Sequence, residues 1–399
     1  MIGFVLICKA FRFRVYPTPK QEARLLEWEG ALRYLWNLAL EQRVIGQNRS
    51  EKRYPSAFDQ INELTPLRKE LPWLADVPRN VCAQLLAELD KAMLRCFKRL
   101  AKFPRWKRKG TDAPGICEPH HKVWSFRDGN VCFPKIGEIR TKAHRPLEGR
   151  PKTCTLKREG DQWFASILCE VEIPEPGKRS SPVIGLDRGV NQFLADSNGN
   201  LTPNPKYYEK TLKRLAFAQK AVSRKKKGSR RREKAKIRVM RIHRKVRRQR
   251  EHFLHNLSST IAKSNGVVVI EKLNVAGMIR SNLARHIAGA GWSRFAQMLR
   301  YKLDWSGGSL LEVPAHYSSQ TCSACGAVNA ASRKAERFCC TGCGYIDHAD
   351  LNAAKVIKSR ANLSAMPVDG TLLEGTGRSG KEKVKLRVSR RSPFKSSAL

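Results

Sequence analysis

Phe11, Phe13 and Val15 alternate with Arg12 and Arg14. That two-residue period predicts a half-buried strand over Ala10–Tyr16, ended by Pro17 and Pro19. The start, Met1–Ala10, is apolar but short and lacks a basic leader, so it reads as strand rather than signal peptide. From about 20 to 102 the period becomes helical. Leu25, Leu26, Trp28, Leu32, Leu35 and Trp36 share one face, and Leu85, Leu86, Leu89, Met93 and Phe97 another. Trp28 and Trp36 fit core positions better than base-stacking ones. Between about 121 and 173 short strands return, at Val123–Phe126, Val131–Phe133, Thr153–Lys157 and Trp163–Ile173, as an all-β module that the strand near residue 12 joins. Pro174–Pro182 reads as a linker.

Beyond the linker, an apolar strand Val183–Leu186 runs into Asp187. A second, Gln192–Ala195, meets the turn signal Asp196–Ser197–Asn198–Gly199. Residues 206–263 predict long helices broken at Gly228–Ser229. A strand Gly266–Ile270 ends in Glu271. A helix over 292–304, a strand at Ser309–Val313 and a helix opening near Asp350 complete the pattern. The tail beyond 362 has little periodicity and predicts basic disorder. There is no internal repeat.

Charge changes the picture. The 399 residues hold 77 Lys+Arg against 35 Asp+Glu, a net charge of +42. Such an excess repels itself unless a polyanion neutralises it, which points to nucleic acid. Small basic ribosomal or chromatin-like proteins and membrane-surface binders fit poorly, since 41% of the residues are hydrophobic, enough for a sizeable core. The runs Lys225, Lys226, Lys227 and Arg230, Arg231, Arg232 predict a phosphate-tracking helix face. Lys102–Lys109 carries Arg105 and Lys107 beside Phe103 and Trp106. It reads equally as a phosphate clamp with a stacking ring or as a solvated basic loop. No run of about 18 apolar residues exists, so no membrane partner is expected. With no leader, most of the 12 cysteines are expected as free thiols in a reducing cytoplasm, near the nucleoid of a bacterium or archaeon.

Two clusters carry chemistry. Cys322-x-x-Cys325 and Cys340-x-x-Cys343 are two knuckles, each followed by a glycine, Gly326 and Gly344. Four thiolates make a closed tetrahedral site, so a zinc ion there is structural. Cys339 competes with Cys340, and the Cys-x-x-Cys register favours Cys340. The second cluster is Asp187, Glu271 and Asp350, acids that close or open apolar elements in a chain poor in acids. Burying them calls for a cation. Hard oxygen ligands suit Mg²⁺, and two ions would clamp a phosphodiester. The plainer reading is that Glu271 or Asp350 is an ordinary strand-end or first-turn acid.

In order, the chain carries Phe13–Arg14–Val15–Tyr16–Pro17–Thr18–Pro19–Lys20–Gln21, Phe103–Pro104–Arg105–Trp106–Lys107, Ile184–Gly185–Leu186–Asp187–Arg188–Gly189–Val190, Asn204–Pro205–Lys206–Tyr207–Tyr208, Val269–Ile270–Glu271–Lys272–Leu273, Ala290–Gly291–Trp292, Ser318–Ser319–Gln320–Thr321–Cys322 with its knuckles, and Asp350–Leu351–Asn352–Ala353–Ala354. Over about 9–360 it resembles TnpB, the insertion-sequence relative of the miniature type V CRISPR effectors. The resemblance implies an α+β multidomain fold. An RNase H-like (RuvC) α/β domain, 182–317 and 346–362, is interrupted by a zinc ribbon, 318–345. A β-barrel-like wedge domain spans 1–19 and 110–175, a helical recognition domain 20–109, and a disordered basic tail 363–399. Asp187, Glu271 and Asp350 carry over as the catalytic, Mg²⁺-holding acids. The implied partners are a guide RNA, double-stranded target DNA and its displaced single strand.

The chain departs from the family in one place. His348–Ala349–Asp350 stands where many relatives have Asp-Arg-Asp, so a nearby arginine is lacking. Asp347 competes for the third role, and the Asn-Ala-Ala register favours Asp350. The expected activity is Mg²⁺-dependent cleavage of DNA chosen by guide pairing beside a short flanking motif. The rivals are a nuclease-dead RNA-guided repressor of the same fold and a transposition-accessory DNA-binding protein or transposase. The presence of all three acids separates the nuclease from the dead form. The absence of a Tyr or Ser recombinase signature and of an HUH motif weighs against the transposase.

Overall fold

The computed structural model describes residues 3–48, 55–110, 113–278, 280 and 284–361. The basic tail expected at 363–399 lies outside the described residues.

The first strand, β1, is longer than its alternating segment, Phe4–Tyr16. Phe11, Phe13 and Val15 face inward, at most 3% exposed. A capping box starts the next element: Gln21 N–H donates to Thr18 Oγ1 (3.3 Å), and Thr18 N–H donates to Gln21 Oε1 (2.9 Å). Helix α1 then runs Pro19–Asn48. Short helices α2 (Ala57–Asn62), α3 (Leu64–Glu70) and α4 (Pro72–Ala75) lead to α5, Arg79–Phe97. The strands β2 (Ile116–Glu118), β3 (Ser125–Arg127), β4 (Asn130–Phe133), β5 (Gly137–Lys142), β6 (Arg150–Glu159) and β7 (Gln162–Pro174) follow. With β1 they form a seven-stranded sheet of order β2-β6-β7-β1-β5-β4-β3. β1 lies antiparallel to β7 from Phe4↔Pro174 to Val15↔Trp163. One core joins the sheet to α1 and α5, and Trp28 and Trp36 belong to it. Trp28 is 1% exposed, which excludes it as a stacking platform.

A second sheet follows the linker. It contains β8 (Val183–Asp187), β9 (Gln192–Asp196) and β10 (Leu201–Pro203). Helices α6 (Leu212–Ser223) and α7 (Arg230–Ser264) come next, broken at 224–229, and then β11 (Val267–Glu271). Helices α8 (Val275–Met278), α9 (Ala284–Ala290) and α10 (Trp292–Ser306) precede β12, Ser309–Val313. The order is β10-β9-β8-β11-β12, with β8, β11 and β12 parallel and β9 and β10 antiparallel.

Strand alternation divides this sheet into two faces. Ile184, Leu186, Val268 and Ile270 join Leu254, Ile261, Phe295 and Met298 in one core, under α7 and α10. The other face takes a helix that arrives only after the ribbon, α11 (Ala349–Ser359). Gly185 is the reason α11 fits: a Cβ there would stand 2.3 Å from the Ala354 carbonyl oxygen and 2.6 Å from the Lys358 nitrogen. Between β12 and α11, β13 (Arg333–Lys334), β14 (Arg337–Cys339) and β15 (Ile346–His348) make a small three-stranded sheet. The architecture is mixed α/β.

Candidate functional site

The four cysteines converge. Cys322 and Cys343 sulfurs lie 3.7 Å apart and Cys325 and Cys340 sulfurs 3.6 Å, and all four lie within 4.8 Å of one another. Zn–S bonds of about 2.3 Å set tetrahedral S···S edges of about 3.8 Å, so the donor set fits zinc. Gly326 and Gly344 take φ of +77° and +75°, the left-handed turn each knuckle needs after its second cysteine. The Cys343 and Gly342 N–H groups donate to Cys340 Sγ and pull its thiol down to about 6, toward the thiolate a metal binds. Cys339 is exposed on β14 and takes no part in the cluster.

Register brings two of the acids together. β8 and β11 pair as Val269↔Gly185 and Ile270↔Leu186. The next residues are Glu271 and Asp187, and alternation puts both on the face that α11 covers. Asp350 sits in the first turn of α11. Asp187 is set deeply enough that lost hydration, then repulsion from Glu271 and Asp350, pushes its carboxyl up to about 7. Like charges gathered this way fit a cation. The three carboxylates do not close to the spacing of the cysteines, which among the described residues are the one group so tight.

The neighbours of these acids were not legible in the sequence. Ser318 Oγ–H donates to Glu271 Oε1. Arg188, on the opposite face, is 8% exposed and donates from Nη2 to the Glu271 carbonyl oxygen. Arg333 Nη2 donates to Asp350 Oδ1 at 2.8 Å. The arginine lacking beside Asp350 in the sequence thus arrives from β13 of the ribbon. Asn352, fully buried, ties α11 to the first knuckle: Ser323 N–H donates to its Oδ1 (2.9 Å) and its Nδ2 donates to the Thr321 carbonyl (2.8 Å). A cavity of about 270 Å³ beside Glu271 is lined also by Arg188, Lys272, Ser293 and Arg300.

Two other acids serve structure. Asp347 accepts from Lys355 Nζ, Tyr345 OH and the His348 N–H, each at 2.8 Å. Asp196 accepts from Asn198 N–H (2.9 Å) and Asn200 N–H (3.0 Å) to close its turn. Asp187 differs from both in facing other carboxylates.

The basic residues fall into two groups. The stretch at 102–109 is pinned to α1: Trp36 Nε1 donates to the Arg105 carbonyl (3.1 Å), and Asn37 brackets Lys107 through Nδ2→O (3.0 Å) and N→Oδ1 (2.8 Å). Arg105 points to solvent, and Lys107 Nζ sits 4.6 Å from the Trp36 ring centre. Lys226, Lys227, Arg230 and Arg231 are exposed at the α6–α7 turn, while Lys225 and Arg232 are half-buried. Farther along α7, Arg241 and Arg244 bind Asp161 and Arg247 binds Glu159, both acids at the β6–β7 hairpin.

The family model described as "Probable transposase" matches 166–282, a span that holds Asp187 and Glu271. "Cas12f1-like, TNB domain" matches 292–357, which holds the cysteines, Arg333 and Asp350. "Helix-turn-helix domain" matches 7–45, which here is one strand and one helix. A Streptomyces pristinaespiralis protein named "Putative RNA-guided DNA endonuclease" is 33% identical over 392 residues, 96% of each chain. The chain belongs to the TnpB family. A second TnpB relative, InsQ of Escherichia coli K12, carries the same name and is 30% identical over 88% of this chain and 91% of its own. The Cas12f1 chain solved with sgRNA and target DNA shares the fold, at a TM-score of 0.59 and 13% identity over 88% of this chain and 99% of that one.

Proposed function

We propose that this TnpB protein is an RNA-guided, Mg²⁺-dependent DNA endonuclease that cuts beside a short flanking motif. The observation that carries the reading is the meeting of Asp187, Glu271 and Asp350 at one end of the five-stranded sheet. The order β10-β9-β8-β11-β12 is three antiparallel strands followed by two parallel ones, which supports an RNase H-like (RuvC) domain over 182–317 and 346–362. The ribbon at 318–345 interrupts it. The seven-stranded sheet, 1–19 and 110–175, serves as the wedge and the helices of 20–109 as the recognition domain. Guide RNA, duplex target and displaced strand are the partners.

Asp187, Glu271 and Asp350 would hold two Mg²⁺ ions, which when bound polarise the scissile phosphodiester and lower the pKa of the attacking water. The chain does the positioning. Ser318 fixes one oxygen of Glu271, and Arg188 holds the end of its strand. Arg333 orients Asp350 and stands ready to face a phosphate oxygen. Cys322, Cys325, Cys340 and Cys343 would hold a zinc ion, which when bound would fix the ribbon that presents Arg333.

The test is guided cleavage with the RNA that co-purifies with the full chain. Matched DNA should be cut when Mg²⁺ is present and spared when Mg²⁺ alone is left out, zinc being retained, or when the guide is mismatched near the flanking motif. Cutting that ignores the guide would refute the reading.

A further inference from the structure

On α6, Leu215 and Ala218 turn inward against Ile242 of α7. The outward face of the same helix is spaced by turns: Lys213, Arg214, Phe217, Lys220 and Arg224 stand at −4, −3, 0, +3 and +7 from Phe217. Every member but one is a cation. Between Lys210 and Arg232 there is no acid at all. Phe217 is 67% exposed, among the described residues as open as any large apolar side chain away from the chain's first strand except Phe58 and Leu100. Ala216, Gln219, Lys220 and Ser223 flank its ring in a shallow open depression.

A lone exposed apolar residue is ordinary on most surfaces. Here the neighbours decide what can cover it. Another protein's apolar patch would have to approach through four like charges. A nucleotide suits both parts of the stripe, since its phosphates meet the cations and its base stacks on the ring. The base must be unpaired. Target DNA arrives as a duplex and offers unpaired bases only once guide pairing has displaced a strand, whereas folded RNA offers loops and bulges with splayed bases before any target is bound.

We propose that Phe217 is a stacking platform for an unpaired base of the guide RNA, with Lys213, Arg214, Lys220 and Arg224 gripping the phosphates on either side. Resting on the RNA-guided reading above, it names a contact that no charge run identifies.

The experiment measures RNA affinity of the full chain as a function of salt, for wild type and for Phe217→Ala, Phe217→Leu and Phe217→Trp. Stacking predicts a loss of about five- to a hundredfold for Ala, following the usual range per base. Leu should lose nearly as much and Trp should bind as wild type or better. The slope of log affinity against log salt should stay unchanged, because no phosphate contact is removed. Ultraviolet cross-linking should attach residue 217 to a nucleotide that structure probing shows unpaired. Ala and wild type binding RNA within twofold of each other, with equal unfolding temperatures, would overturn the proposal. So would weakened binding of single-stranded DNA with RNA affinity untouched, or a cross-link from residue 217 to another protein. If wild type itself holds no RNA, the RNA-guided reading fails first, and the two failures are thereby told apart.

Discussion

At the residue scale, the acids show how surroundings assign a role to one chemical group. Asp76 is a structural acid. Arg24 donates to it from Nε (3.0 Å) and Nη2, Trp28 Nε1 donates at 2.6 Å, and chiefly the Arg24 bond holds its carboxyl down at about 2. The folded value lies below the unfolded one of 3.8. The stability it contributes is therefore full above about pH 4 and is lost as pH falls toward 2. Both partners are more than a third exposed, which reduces the effect to about 1 kcal/mol. Asp76→Asn should lower stability by that amount at pH 7, and the gap from wild type should close between pH 4 and 2 in denaturant melts. Arg333 belongs to the proposed site. Its 2.8 Å bond to Asp350 predicts that Arg333→Ala slows guided cleavage by about 10²-fold while target binding holds, with Arg333→Lys recovering part of the rate. Equal rates for wild type and Ala would reduce Arg333 to a surface pair.

At the element scale, the site depends on how closely α11 lies on β8. Gly185→Ala would drive a methyl into the α11 backbone, so it should cost about 2–3 kcal/mol or more in thermal unfolding, the upper range of overpacking. The zinc ribbon is coupled to the same helix through Asn352 and Arg333. Cys325→Ser, or chelation, should release about one zinc per chain, lower stability and slow cutting together. Much of this was legible in the sequence because it rests on period and spacing. Alternation marked β1, the helical faces marked α1 and α5, and β12 runs Ser309–Val313 as its apolar pattern predicts. Neither β2 nor β5 carries an alternating apolar signal: β2 is three residues, all buried, and β5 buries Ile139 alone among polar neighbours and Gly137. The cysteine knuckles announced themselves by register. Arg333 did not, since Ser332–Arg333–Lys334 looks like any polar turn and acquires its role only when the ribbon folds back onto α11. Ser318 and Asn352 lay within recognisable motifs, yet their partners are set by tertiary contact.

At the scale of the whole molecule, a net charge of +42 must be divided between surfaces that bind and surfaces that hold the protein together. Arg241, Arg244 and Arg247 are spent on Asp161 and Glu159 of the β6–β7 hairpin, which ties α7 to the seven-stranded sheet. Arg230 and Arg231 are exposed. Neutralising Arg230, Arg231 and Arg232 together should weaken nucleic-acid binding with little sequence preference and make the salt slope shallower by about 1–2. Neutralising Arg241 and Arg244 should lower stability instead. Asp187, Glu271 and Asp350 are proposed to act as one centre. Members of such a unit are not additive, so losing any one should abolish cutting. The phosphate contacts are proposed for the Lys/Arg surfaces, so binding should survive. The decisive measurement is guided cleavage and target binding by Asp187→Ala, Glu271→Ala and Asp350→Ala, with Asp347→Ala as control. The account predicts three variants that bind matched DNA and leave it uncut, and a control that still cuts. Cutting at the wild-type rate by all four would contradict it.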